Sequence, residues 1–282
     1  MNKRLLLTGL LIVHLYSCQK EAAEGNTPET AATKMDVAYG TDPKQKMDVY
    51  LPAGRSADTT KSIILIHGGA WSEGDKLDFT PYVAQLQQKI PGYAVFNVNY
   101  RLALNNTNLF PAQENDVKAA LEFINGKKAE YKISDKFVLL GASAGGHLAL
   151  LQGYKYNTPI KPKAIVSFFG PSDLVALYNS SFIAAIGLSG VIGTDPVSNP
   201  ALYQQSSPLG FVTAQSPPTI LLQGGADPLV PVAQAEALRA KLTTSGVTNQ
   251  YVFYPTQTHG WFGDTLNHSF DKITEFLKAN VP

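Results

Sequence analysis

Ser143 sits in the run Gly141-Ala142-Ser143-Ala144-Gly145-Gly146, directly after the apolar stretch Phe137-Val138-Leu139-Leu140 and directly before an apolar helical pattern. This is G-x-S-x-G in the context of strand, tight turn and helix where it carries chemistry. The turn pushes the serine Oγ out over the sheet edge, and glycines at 141 and 145 remove the Cβ atoms that would collide with it. A hydroxyl presented this way is a nucleophile for acyl transfer once a base takes its proton. The Ala144 N–H lies in the first turn of the following helix, lacks an intrahelical acceptor and is free to bind an oxyanion.

A second anion-binding element precedes it. The β-branched run ending at Ile66 leads into His67-Gly68-Gly69-Ala70-Trp71. Adjacent glycines after a buried strand free the backbone to turn its N–H groups toward a ligand. Gly69 and Ala70 are the expected oxyanion donors, with Gly68 shaping the loop. Losing one such donor typically costs about a hundredfold to a thousandfold in turnover. His67 is read as a brace that hydrogen-bonds within the loop, not as a catalytic base.

These two turns need a scaffold that brings strand ends together. Continuous or alternating apolar runs predict strands at Met35–Tyr39, Lys46–Leu51, Ser62–His67, Tyr93–Val98, Phe137–Leu140, Ala164–Phe169, Thr219–Gln223 and Gln250–Tyr254. Helical patterns fall between them, at about Pro81–Lys89, Ala112–Asn125, Ala144–Lys155, Val232–Thr244 and Asn267–Lys278. The alternation implies an α/β fold with a mostly parallel sheet covered on both faces, and an antiparallel lead-in from the first two strands. Residues 171–218 break the rhythm with a stretch rich in Gly, Ser, Asn and Pro. An insertion of that length is usually functional. It reads as a small cap at about 173–217, with short helices around Leu174–Tyr178 and Phe182–Leu188.

With these motifs in place, the chain resembles the α/β-hydrolase esterases related to hormone-sensitive lipase, and the acetyl and feruloyl carbohydrate esterases close to them. The resemblance covers nearly all of residues 45–280. It rests on the two turns together with Asn99-Tyr100-Arg101-Leu102, Phe110-Pro111-Ala112 with Asp116, Gly170-Pro171-Ser172-Asp173, Ser207-Pro208, Gly224-Gly225-Ala226-Asp227 and His259-Gly260-Trp261-Phe262. The commonest loop in that family has three glycines after the histidine. Here Ala70 replaces the third and Trp71 follows, a form shared with acetyl, feruloyl and formamide hydrolases. The resemblance implies a three-layer sandwich with an eight-stranded sheet.

In such hydrolases the triad runs Ser, then Asp or Glu, then His. Asp227 follows a late strand and is the expected acid. Asp195 lies in a turn of the proposed cap, and Asp264 falls after the histidine. His259 follows the last strand and is the expected base. His147 lies on the helix after the nucleophile, and His268 begins the final helix pattern. Asp116 and Asp173 are read as structural. Trp71, Tyr100, Phe169, Phe182 and Trp261 are candidates for an aromatic acyl or alcohol pocket.

Composition narrows the partners. The chain has 282 residues, a formal net charge of +1 and 16% charged residues, with no basic stripe, so nucleic acid is not expected. No H-x-H, H-E-x-x-H or P-loop pattern appears, and neither a metal nor an organic cofactor is implied. Asn2-Lys3-Arg4 followed by the apolar run Leu5–Leu15 reads as a signal-peptide core, too short to span a bilayer comfortably. It ends at Leu15-Tyr16-Ser17-Cys18, which resembles a bacterial lipoprotein processing site with Cys18 as the lipidated residue. Cys18 is the only cysteine, so no disulfide forms within one chain. Residues 19–34 are small and polar and read as a flexible tether. Residues 35–282 then form the hydrolase domain.

The expected function is an envelope-anchored serine carboxylesterase acting on small acyl esters, acetyl or feruloyl esters of polysaccharides among them. The alternatives are an arylformamidase-like amidase and a catalytically silent binding protein of the same fold. The oligomeric state is not specified by the sequence.

Overall fold

The computed structural model describes residues 29–158 and 160–282. The signal segment and Cys18 lie outside the described residues. Eight strands form one sheet: β1 (Ala32–Ala38), β2 (Lys46–Leu51), β3 (Lys61–Ile66), β4 (Tyr93–Val98), β5 (Phe137–Ala142), β6 (Ala164–Phe168), β7 (Thr219–Gly224) and β8 (Asn249–Tyr254). Their spatial order is β1-β2-β4-β3-β5-β6-β7-β8. β2 runs antiparallel to both β1 and β4, and the pairs from β4 onward are parallel. This is the expected architecture, including the antiparallel lead-in.

The helices are α1 (Thr80–Lys89), α2 (Ala112–Gly126), α3 (Lys128–Tyr131), α4 (Ala144–Lys155), α5 (Leu174–Tyr178), α6 (Phe182–Ile192), α7 (Pro200–Gln205), α8 (Val232–Thr244) and α9 (Gly263–Asn280). Residues along β3 alternate between two cores. Ile64 and Ile66 pack with residues of α2, α4 and α8 on one face, while Ile63 and Leu65 pack with α1 and α9 on the other. None of these four side chains is exposed, and each full burial is worth about 1.5–3 kcal/mol. That double burial is why β3 reads as a continuous apolar run.

Several elements differ from the sequence reading. β1 starts at Ala32, so the last residues assigned to the tether belong to the sheet, where Ala32 pairs with Leu51. α9 starts at Gly263, four residues early, because its first turn, Gly263-Asp264-Thr265, is too polar to show an apolar period. Asp264 there suits the positive end of the helix dipole. The cap carries α7 in addition, and α6 extends to Ile192, where Gly193 (φ 80°) ends it. α3 is a single turn, too short for any periodic signal.

The cap is fastened by polar contacts. Asp173 caps α5 through Val175 N–H and Ala176 N–H, 3.0 Å each. Buried Gln234 on α8 accepts from the Ser172 and Asp173 N–H groups at 2.8 Å. Asp116 grips Arg101 through both its backbone N–H and its guanidinium, which fixes the loop after β4 against α2. The structural roles expected of Asp116 and Asp173 are what the contacts show.

Candidate active site

Ser143, Asp227 and His259 converge where the parallel strands end, the usual place for ligands in open α/β sheets. Ser143 follows β5 and opens α4 with φ 54° and ψ −121°. A non-glycine residue held there costs about 1–3 kcal/mol and needs a rigid surround. Its N–H donates to Phe168 O at 2.9 Å, pinning the turn to β6. A Cβ at position 145 would lie 1.9 Å from Ile66 O, and one at 141 would lie 2.1 Å from Gly145 O. Only glycine fits at either place.

His259 and Asp227 complete one chain of hydrogen bonds. His259 Nε2 is 2.9 Å from Ser143 Oγ, and His259 Nδ1 is 2.8 Å from Asp227 Oδ2. Asp227 Oδ1 accepts from Leu229 N–H at 2.8 Å and Val230 N–H at 2.9 Å. Burial works against its charge, but the hydrogen bonds from His259, Val230 and Leu229 outweigh it and hold the carboxyl below its ordinary range. An ionised carboxylate only accepts, so Nδ1 carries the imidazole proton. Nε2 is then the acceptor for the serine hydroxyl. The rivals stand elsewhere: Asp195 closes a turn on Val197 and Ser198, and Asp264 sits in the first turn of α9.

The glycine loop adopts successive positive φ angles: 104° at Gly69, 48° at Ala70 and 60° at Trp71. A Cβ at 69 would lie 2.1 Å from Glu73 O. Among the described residues, no acceptor takes the N–H of Gly69 or Ala70, and both residues line the cavity with Ser143 and His259. Gly68 approaches the nucleophile turn closely, since a Cβ on it would lie 3.3 Å from Ser143 Cβ. His67 is fully buried, stacks on Tyr100 with ring centroids 4.2 Å apart, and bonds Gly68 O through Nδ1 at 2.7 Å. Burial lowers its pKa, which favours the neutral imidazole.

His147 lies wholly in the core. Trp71 Nε1–H donates to its Nδ1 at 3.2 Å, so its Nε2–H donates to Ser206 O at 2.7 Å. One neutral imidazole thus ties the glycine loop to the cap. Burial depresses its pKa to about 4.

The cavity over Ser143 has a volume of about 580 Å³. Trp71 and Phe169 line it. Three other aromatic candidates do not line this cavity, although Trp261 borders a separate cleft. Tyr100 is fully buried beneath the loop, where its hydroxyl donates to His67 O at 2.9 Å and Gly68 O at 3.2 Å. Trp261 packs into the α9 face, its indole N–H donating to Ser269 Oγ at 2.8 Å. Phe182 points to solvent at 79% exposure, and its neighbour Ile183 faces the cavity instead. Missed lining residues are Leu177, Ile183 and Leu188 from the cap, Leu229 and Val230 after the acid, and the carboxylates Glu73 and Asp78. Leu229 and Val230 carried a usable signal, since they directly follow a candidate acid. The cap residues carried none, because α6 is apolar all round.

Fold and site together define an α/β-hydrolase. The BD-FAE family model matches residues 47–242, and the chain belongs to that family. Esterase LipQ of Mycobacterium tuberculosis is 29% identical over 250 residues, covering 82% of this chain. This chain spans 58% of LipQ and about half the length of the curated relatives it matches. Among solved structures, a truncated carbohydrate esterase from gut microbiota superposes with TM-score 0.76 at 25% identity, covering 89% of this chain and 96% of its own. A bifunctional GH43-CE protein of Bacteroides eggerthii gives 0.78 at 27% identity, covering 89% of this chain and 35% of its own.

Proposed function

We propose that this chain is a serine carboxylesterase working through an acyl-enzyme on Ser143. The single observation that carries the reading is the unbroken relay from Asp227 Oδ2 through His259 to Ser143 Oγ, with links of 2.8 and 2.9 Å. His259 Nε2 takes the hydroxyl proton as Ser143 Oγ attacks the ester carbonyl. The N–H groups of Gly69, Ala70 and Ala144 hold the oxyanion. His259 then passes the proton to the leaving alcohol oxygen, and a water, activated the same way, releases the acid. Asp227 stabilises the imidazolium and fixes its tautomer without itself being protonated.

Esters of carbohydrates are the proposed substrate class. BD-FAE membership and the carbohydrate esterases among the structural relatives support it. Attachment to a bacterial envelope through Cys18 is proposed on the N-terminal sequence alone. Acetylated xylan, short p-nitrophenyl esters and N-formylkynurenine assayed side by side test the reading. Ester hydrolysis well above formamide hydrolysis is expected. A formamide preference over every ester would overturn it in favour of an amidase.

A further inference from the structure

A second cleft of about 180 Å³ lies beside the reaction cavity. Its walls include Tyr82, Phe168, Phe169, Trp261, Phe262 and Phe270. None of its lining residues is charged. The rings already meet one another at aromatic distances. Phe169 is 5.3 Å from Trp261, Phe168 is 5.9 Å from Trp261, and Tyr82 is 6.4 Å from Phe270. The polar edge of Trp261 is spent on Ser269, which leaves its ring as apolar wall. Phe262, 76% exposed, stands on the lining as a large aromatic ring open to solvent.

Phe169 separates the two spaces. It lines both, and its ring lies 4.5 Å from that of His259. Its φ of 38° is a strained value for a bulky side chain, held by Phe169 N–H donating to Leu222 O at 2.7 Å. Structure is thus invested in keeping a ring at this partition. An engineered apolar cavity of about 150 Å³ takes up benzene, so the second cleft has room for one ring. Aromatic walls favour edge-on and offset contacts with an aromatic guest over an aliphatic one of equal size.

We propose that this cleft is a binding subsite for one uncharged, monocyclic aromatic ring, distinct from the cavity over Ser143. The ring belongs either to the ester being hydrolysed or to a separate small molecule. The binding claim does not depend on the esterase reading, because occupancy is measured without turnover.

Calorimetric titration of the full chain with 4-methylphenol tests it. One saturable site is expected. Leu266→Trp, which fills the cleft from α9, should weaken binding at least tenfold while hydrolysis of ethyl acetate is retained. Phe262→Ala, an exposed change that leaves the core intact, should weaken binding severalfold. Ile183→Trp, which fills the reaction cavity instead, should leave the affinity within twofold. Absence of saturable binding, or binding that responds to Ile183→Trp and not to Leu266→Trp or Phe262→Ala, overturns the proposal. Benzyl acetate and ethyl acetate then distinguish the source of the ring. A rise in KM confined to benzyl acetate in Leu266→Trp assigns the ring to the substrate, and an unchanged KM assigns it to a separate molecule.

Discussion

At the scale of single residues, Asp227 has two separable jobs. It fixes the proton on His259 Nδ1, and its own charge is stabilised by folding. Asp227→Asn should therefore lower kcat by about ten-thousandfold with the fold intact, as in a related triad. The same change has a stability signature. A carboxyl whose pKa is depressed in the folded state adds stability above its unfolded value of about 3.9, and that stability is lost as pH falls through the folded value. Urea unfolding should thus show the wild type's advantage over Asp227→Asn at neutral pH and its disappearance in strong acid. An advantage that persists in strong acid would contradict the assignment of Asp227 as an ionised acceptor. Ser143, Asp227 and His259, which meet in one chain of hydrogen bonds, were legible in the sequence because each follows a strand with a local turn signal. The pocket aromatics were less so. Whether Tyr100, Phe182 or Trp261 faces a cavity is set by packing between elements distant in sequence, and hydrophobic type alone carries no direction.

Among the elements, the cap shapes the reaction cavity. α6 places Ile183, Ala184 and Leu188 on the cavity lining, whereas Phe182 and Ile186 are not part of it. Ile183→Trp should narrow the cavity from an exposed position that tolerates size. The ratio of kcat/KM for p-nitrophenyl butyrate to that for the acetate is expected to fall about tenfold, within the range for apolar size discrimination. An unchanged ratio would place the acyl group elsewhere. Strands and long helices were readable because burial on one or two faces writes a period into the sequence. β2, β4, α4, α5 and α8 fall on their predicted limits. α3 and α7 span four and six residues, too few to express a period, and α6 shows none because it is apolar on every side.

Across the whole molecule, the N-terminal end of the fold and the site lie at opposite ends of the sheet. Ala32 pairs with Leu51, and Tyr50 pairs with Val95 near the start of β4, whereas Ser143, Asp227 and His259 follow strand ends. Glu29 is held at that far end by Arg55 at 2.7 Å and Lys132 at 2.5 Å. Deleting residues 1–28 should therefore leave kcat/KM on soluble esters within twofold, and a tenfold loss would mean that the segment takes part in the site. Acid should weaken the fold through His147. Its unfolded pKa is near 6.5 and its folded pKa near 4, so the unfolded chain binds the extra proton first. Stability falls as pH drops from about 6.5 to 4, by on the order of 3 kcal/mol from this group. His147→Gln should flatten that slope in urea titrations, and an unaltered slope would assign it to other groups.

The central claim is a covalent acyl group on Ser143, and acid-quenched mass spectrometry after mixing with p-nitrophenyl acetate measures it directly. The account predicts one acetyl group on the peptide containing Ser143, absent in Ser143→Ala together with turnover. An unmodified Ser143 peptide alongside undiminished hydrolysis by Ser143→Ala would contradict it.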